Sequence, residues 1–306
     1  MGFKVYKKLN KKVPVMLAGW PGMGNVALGC IDYIRNGLKS ELIAEMDTEN
    51  LSLPDSILIE GGLLKMPPSP KNLFFCVEGP PVLIFEGEIQ YPGETGMTVI
   101  NNILEFASGC GVKRVITGAA FPKPMSHSEP PAVYGTANKR SLLEFLRGFD
   151  VEVMEGGQIS GMNGLLLGYA SRFDMEAICL LATIPMYAIG FPNPKASSTI
   201  LGVLERMLDL TVDKKQIDIS IRKMEENMEA IEKNITEIMP FLEKDEKGVE
   251  LPPAKVPSHV MEKIEKLFQE AKIDKKKAYA LKGELDRWNL YKLYEDRFLN
   301  LFREHQ

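Results

Sequence analysis

Gly19-Trp20-Pro21-Gly22-Met23-Gly24-Asn25 joins an apolar run beginning at Val13 to a helical pattern, the arrangement with which α/β proteins bind anions. Backbone N–H groups at a helix start converge on such a loop and carry the positive end of the helix dipole. From Gly22 to Ala27 the spacing fits G-x-G-x-x-A, the loose form of a dinucleotide-binding turn. A ribose-binding acid belongs at the end of the next strand, and Asp47 follows the strand-like segment Ser40–Met46. Other features point away from a nucleotide. Trp20 and Pro21 widen the turn, and no Gly-Lys-Ser/Thr follows. The next apolar segments, Ser56–Glu60, Leu73–Val77 and Val82–Phe85, have no helix-length stretch between them. The last two flank Glu78-Gly79-Pro80-Pro81, a hairpin-like turn. Two readings stay open: a nucleotide or phosphate loop, or a tight strand-to-helix turn that shapes the fold.

The remaining chemistry-bearing residues are few. His127 sits in the Pro-rich segment Phe121–Pro131, where it is either an acid or base near neutral pH or a surface histidine. His259 and His305 are expected in solvent. Ser160 lies among glycines in Gln158–Gly164 but lacks the Gly-x-Ser-x-Gly elbow, so a helix start capped by Ser160 or Asn163 is expected. Glu86 and Glu88 alternate along one strand and are expected as edge carboxylates. No His-x-x-His, His-Glu-x-x-His or Cys-x-x-Cys spacing occurs, so neither a metal nor another cofactor is expected. Cys30, Cys76, Cys110 and Cys179 are far apart in apolar patterns and read as reduced core residues. The candidate ligand site is thus Gly19 to Asn25 with His127, Ser160 and Asn163, and no catalytic set is identified.

Composition narrows the partners. A formal net charge of −4 over 306 residues gives no general attraction to nucleic acid or anionic membranes. Met1–Tyr6 lacks the apolar core of a signal peptide, Tyr6 stands where myristoylation needs Ser or Thr, and no apolar run reaches a membrane-spanning length. A cytoplasmic protein is expected.

The elements that must position these residues divide near residue 211. Residues 1–211 hold 18 Lys/Arg and 21 Asp/Glu, whereas the much shorter 212–306 holds 19 and 20, so the architecture changes there. In the first part, helices are expected over Glu94–Gly109, Asn138–Leu146, Asn163–Ser171 and Ser197–Leu210. Strands are expected over Lys113–Ala120, Val151–Met154 and Ala177–Thr183, the last apolar enough for a central parallel strand. Strands separated by helices predict an α/β sandwich with a mainly parallel sheet. Sites then gather at the strands' carboxyl ends, in loops Gly19–Asn25, Gly118–Tyr134, Glu155–Asn163 and Pro185–Ala196.

The second part reads as a charged helical extension. Ile217, Ile221, Met224, Met228, Ile231, Ile235, Ile238 and Leu242 recur at alternating steps of four and three, a heptad stripe on a helix over 213–242. It is expected to pair with another chain or with the chain's own last helix. Pro252, Pro253 and Pro257 break the chain before a short helix from Ser258 to Glu270. A final helix over Asp274–Glu304 carries Leu281, Leu285, Trp288, Tyr291, Tyr294, Phe298 and Leu301 on one stripe.

Taken in order, several motifs resemble those of the proteasome assembly chaperone family named for its second subunit. Gly19 to Ala27 resembles the family's opening motif, and Val115-Ile116-Thr117-Gly118-Ala119-Ala120 its central strand. Ile159-Ser160-Gly161-Met162-Asn163-Gly164 is similar to its Ser-Gly-x-Asn-Gly turn. Pro185, Tyr187 and Pro192-Asn193-Pro194-Lys195-Ala196 are similar to its late proline elements. The resemblance covers about residues 13–210. It implies a three-layer α/β/α sandwich like that of nucleoside phosphorylases, a homo-oligomer, and a chaperone or scaffold role without established chemistry, with proteasome α-subunits as partners. One departure stands out: the hydrophobic-Tyr-X docking tail of some members is not matched by Leu301-Phe302-Arg303-Glu304-His305-Gln306.

Overall fold

The computed structural model describes residues 2–48, 51, 54, 56–238, 258–273, 277–287, 294, 298 and 301. The chain divides into two units, Met1–Glu237 and Ile238–Gln306. The first unit opens with β1 (Phe3–Val5), β2 (Val15–Gly19), α1 (Val26–Gly37) and β3 (Glu41–Met46). Four strands follow: β4 (Leu58–Glu60), β5 (Leu63–Lys65), β6 (Asn72–Glu78) and β7 (Pro81–Gly87). Next come α2 (Gly93–Gly109), β8 (Arg114–Lys123), β9 (Val133–Ala137), α3 (Arg140–Arg147) and β10 (Glu152–Val153). The unit continues through α4 (Met162–Ala170), β11 (Glu176–Pro185), α5 (Pro194–Leu208) and all but the last residue of α6 (Lys215–Ile238).

Nine strands form one sheet in the order β1-β3-β6-β7-β2-β8-β11-β9-β10. Its centre is parallel, with β2 between β7 and β8, and β11 beside β8. On the flanks, β1–β3, β3–β6, β6–β7 and β9–β11 are antiparallel. The expected mainly parallel sheet is therefore a mixed one. Connection length explains the difference: Gly79-Pro80 alone joins β6 to β7, and so short a link forces antiparallel pairing. A parallel neighbour needs a crossover, as when α2 carries the chain from β7 past β2 to β8.

Apolar residues alternate sides along the central strands, and helices cover both faces. Leu17, Ile116, Ile178 and Leu180 face α1, α3 and α5, where Ile31, Ile34, Leu146, Ile200 and Leu204 complete one core. Met16, Ala18, Val115 and Ala177 face α2 and α4, whose Val99, Ile103, Leu166 and Ala170 complete the other. An aromatic chain runs through this second core: Trp20 to Phe85 at 4.9 Å, Phe85 to Phe74 at 4.9 Å, and Phe74 to Phe106 at 4.4 Å.

The four cysteines are free thiols. Burial pushes Cys110 up to about 11, Cys179 to about 12 and Cys30 higher still. Because thiolate is the reactive form, Cys30 and Cys179 should resist a maleimide pulse at pH 7.5 until denaturant is added. Intact-mass spectrometry checks this; labelling of either within minutes in native protein contradicts the packing described.

The apolar stripe of α6 begins on this unit. Ile217 is buried in the first core with Ile221 packed against it, and Met224 and Met228 are buried with Ala188 beside Tyr187. The unit boundary therefore falls beyond the step in charge density at 211. The side chains of Ile231, Ile235 and Ile238, and all of Leu242, lie outside the described residues. In the second unit, α7 (Ser258–Ile273) packs against α8 (Lys277–Arg287) through Ile264, Phe268, Ala271, Ala278, Leu281 and Leu285. Lys263 and Glu284 pair at 2.8 Å. Phe298 joins the same cluster, while Trp288 and Tyr291 lie outside the described residues.

Candidate functional site

The loop after β2 is held at nearly every residue. Trp20 is fully buried. Its N–H donates to Asn163 Oδ1 at 3.0 Å, and Asn163 Nδ2 donates to its carbonyl at 3.1 Å, so one side-chain amide satisfies the whole Trp20 backbone. Thr117 Oγ1 donates to the Asn163 carbonyl at 2.9 Å, tying this clamp to β8. Gln90 Nε2 donates to the Pro21 carbonyl at 2.6 Å, and its Oε1 accepts from Met162 N at 2.7 Å.

Further on, Gly24 and Asn25 take left-handed backbone angles, with φ of 60° and 48°. A side chain at Gly24 would be strained by its φ alone. Gly24 N donates to the Ile189 carbonyl at 2.9 Å, and its own carbonyl accepts from Asn193 N at 2.7 Å. Asn193 Oδ1 then caps α5 by accepting from Ala196 N at 2.9 Å. Asn25 N donates to the Gly22 carbonyl at 2.9 Å, and Val26 N to that of Met23.

An anion loop needs several converging N–H groups that the protein leaves unused. Here those of Trp20, Gly24, Asn25 and Val26 all have protein acceptors. Asp47 does not stand beside the loop either, because β6 and β7 lie between β3 and β2. The dinucleotide arrangement of adjacent strands is therefore not formed.

Gly22, Met23, Ser160 and Asn163 do come together. They line a cleft of about 260 Å³ with Ala119, Ala120 and Leu181. It sits where β2 leads the chain towards β3 and β8 leads it towards β9 on the other side, the switch point at which α/β sheets form crevices. His127 lies elsewhere, beside a cleft of about 360 Å³ lined by Arg222, Glu225, Glu226 and Glu229. Its N–H donates to Tyr187 Oη at 3.0 Å, and Lys195 Nζ donates to its carbonyl at 2.9 Å while pairing with Glu225 at 2.9 Å. Tyr187 and Lys195 thus pin the His127 loop next to α6.

Two further expectations are corrected. Neither Ser160 nor Asn163 caps α4; the residue before the helix is Gly161, with φ of 75°, and the Asn163 side chain is engaged with Trp20. Glu86 is not an exposed edge carboxylate, because β7 lies inside the sheet between β6 and β2. Glu86 meets Arg35 at 2.7 Å, its pKa raised by burial against the opposing pull of that guanidinium, and Glu88 accepts from Lys71 N at 2.9 Å. Sequence reasoning also missed Gln90 and the capping role of Asn193. Asn193 before Pro194 carries a helix-start signal; Gln90 carries none, since its two partners are distant in sequence.

Among the described residues, no group of three or more His, Cys, Asp or Glu is placed to hold a metal ion. No helix among them is long and apolar enough to cross a membrane.

Comparison with known proteins matches this architecture. The chain is 24% identical over 222 residues to an uncharacterized protein of Methanocaldococcus jannaschii, MJ1210, covering 72% of this chain and 83% of that one. Its fold is similar to that of PbaB from Pyrococcus furiosus, described as an archaeal proteasome activator. The TM-score there is 0.65, with 24% identity, over 76% of this chain and 98% of that one. It is also similar to PbaA from the same organism, described as an archaeal homolog of proteasome-assembly chaperone, with a TM-score of 0.60 and 21% identity over 79% and 96%. A family model described as PAC2 family matches residues 16–239, from within β2 to just past α6. That span takes in the Trp20 loop and both asparagines that hold it, and the chain belongs to the PAC2 family.

Proposed function

We propose that this chain is a homo-oligomeric chaperone or scaffold for proteasome subunits, working in the cytoplasm through its surfaces rather than by catalysis on a phosphorylase-like sandwich. The carrying observation is the occupied glycine loop. The feature most suggestive of a nucleotide site spends the N–H groups of Trp20, Gly24, Asn25 and Val26 on Asn163, Ile189, Gly22 and Met23, which ties it into the fold. Structural likeness to PbaA and PbaB supports the same reading, and proteasome α-subunits are the proposed clients. Immobilised full-length protein is expected to retain purified proteasome α-subunits, and light scattering to show a defined oligomer. A monomer that retains none overturns the proposal. A thermal-shift panel of nucleosides, phosphate and dinucleotides is expected to stay flat, and a rise of several degrees with any of them overturns the non-catalytic part.

A further inference from the structure

Strands β4 and β5 form a two-stranded ribbon outside the main sheet. Gly61-Gly62 closes it with φ of 58° and 80°, the positive angles of a type I′ hairpin turn. Register sets Ile59 opposite Leu64, while Leu58 faces Lys65 and Glu60 faces Leu63 on the other side. Ile57 and Met66, one residue beyond each strand, continue the side of Ile59 and Leu64. That side is wholly apolar, and its four residues, Ile57, Ile59, Leu64 and Met66, are 53%, 71%, 73% and 68% exposed. The opposite side carries the Glu60–Lys65 ion pair at 2.6 Å. A lone ribbon is marginally stable in water, and contiguous apolar surface of this kind marks a place where something binds.

We propose that the ribbon is a self-association arm, its Ile57-Ile59-Leu64-Met66 side packing face to face on the same side of a second copy; this rests on the homo-oligomer reading above. The surface is self-complementary. Two flat apolar ribbon faces stack about 10 Å apart with interleaved side chains, and a two-fold interface requires each copy to present one and the same patch. Charge favours a like partner here as well. Each chain carries a net −4, yet this side brings no charge to the contact, and Glu60 and Lys65 neutralise each other behind it. Area is sufficient: the stated exposures correspond to roughly 500 Å² per copy and about 1,000 Å² in all, the lower bound for a specific interface. Pro67, Pro68 and Pro70 restrict the backbone that returns from the arm.

The test is sedimentation velocity on the full chain, comparing wild type, Ile59→Lys/Leu64→Lys, and Leu63→Lys on the opposite side. Self-association of the double variant should weaken at least about tenfold, while Leu63→Lys stays within about threefold of wild type. Thermal unfolding of all three should agree, since the ribbon stands apart from the main sheet. As a second measurement, Ile59→Cys should form dimers with a short bis-maleimide well above the wild-type background. This keeps the test decisive if the lysine variant misfolds. Undiminished assembly of a folded double variant, or no cross-linking beyond background, overturns the arm but leaves the homo-oligomer reading intact. A monomeric wild type overturns both.

Discussion

Gly87→Ala is expected to lower the melting temperature by roughly 6–12 °C, although it adds one methyl group. A Cβ at Gly87 would stand well inside 3.0 Å of Trp20 Nε1 and Cδ1, a separation that real Cβ atoms essentially never show. The indole has nowhere to go, being fully buried against Phe85. Overpacking a filled core costs about 1–3 kcal/mol, and the upper end applies where a whole indole must shift. At about 2–4 °C per kcal/mol for a unit of this size, that gives the stated range. Differential scanning calorimetry decides it; a loss under about 2 °C would mean that Trp20 has room the packing does not show.

Asn163→Leu should cost about as much by a different route. It leaves the buried N–H and C=O of Trp20 without their partner, at about 1–3 kcal/mol for each group. Asn163→Asp separates this from a simple packing defect. A neutral carboxylic acid accepts from the Trp20 N–H and donates to its carbonyl much as the amide does, whereas the carboxylate accepts only and sets its charge beside that carbonyl. Burial and that carbonyl both favour the protonated form, so the folded pKa lies above the unfolded value of about 3.9. The stabilisation is then complete below the unfolded pKa and is lost as pH rises through the folded one. The gap in melting temperature between wild type and Asn163→Asp is therefore expected to be small near pH 4 and to widen by pH 7.5. Equal gaps at both would show that Asn163 acts by shape alone.

Local patterns revealed much of the fold. Near-continuous apolar runs gave away β8 and β11, and 3.6-residue spacing gave away α2 and α5, because burial writes itself into neighbouring residues. What escaped were short strands recruited by distant partners. β1 is three residues held by β3, and β9, placed partly in a predicted loop, pairs across β11. The ribbon is half legible: β4 lies in the expected Ser56–Glu60 run, whereas β5 is signalled only by the Gly61-Gly62 turn before it. At the candidate site, the glycine loop was visible because its residue types are unusual. Its hydrogen-bond partners were not, since the Trp20–Asn163 clamp joins residues 143 positions apart. Sequence spacing carries no record of such a pairing.

The docking of α6 also decides where this chain can be cut. A fragment ending at 211 would leave behind Ile217, Met224 and Met228, three residues buried in the α/β unit's own interior. The sites they fill, Ile217 in the first core and Met224 and Met228 beside Tyr187 and Ala188, would open to water, so a defect in that fragment would report a damaged body as well as a missing extension. A cut that spares these three residues and the rest of the first unit falls no earlier than Glu237, where that unit ends.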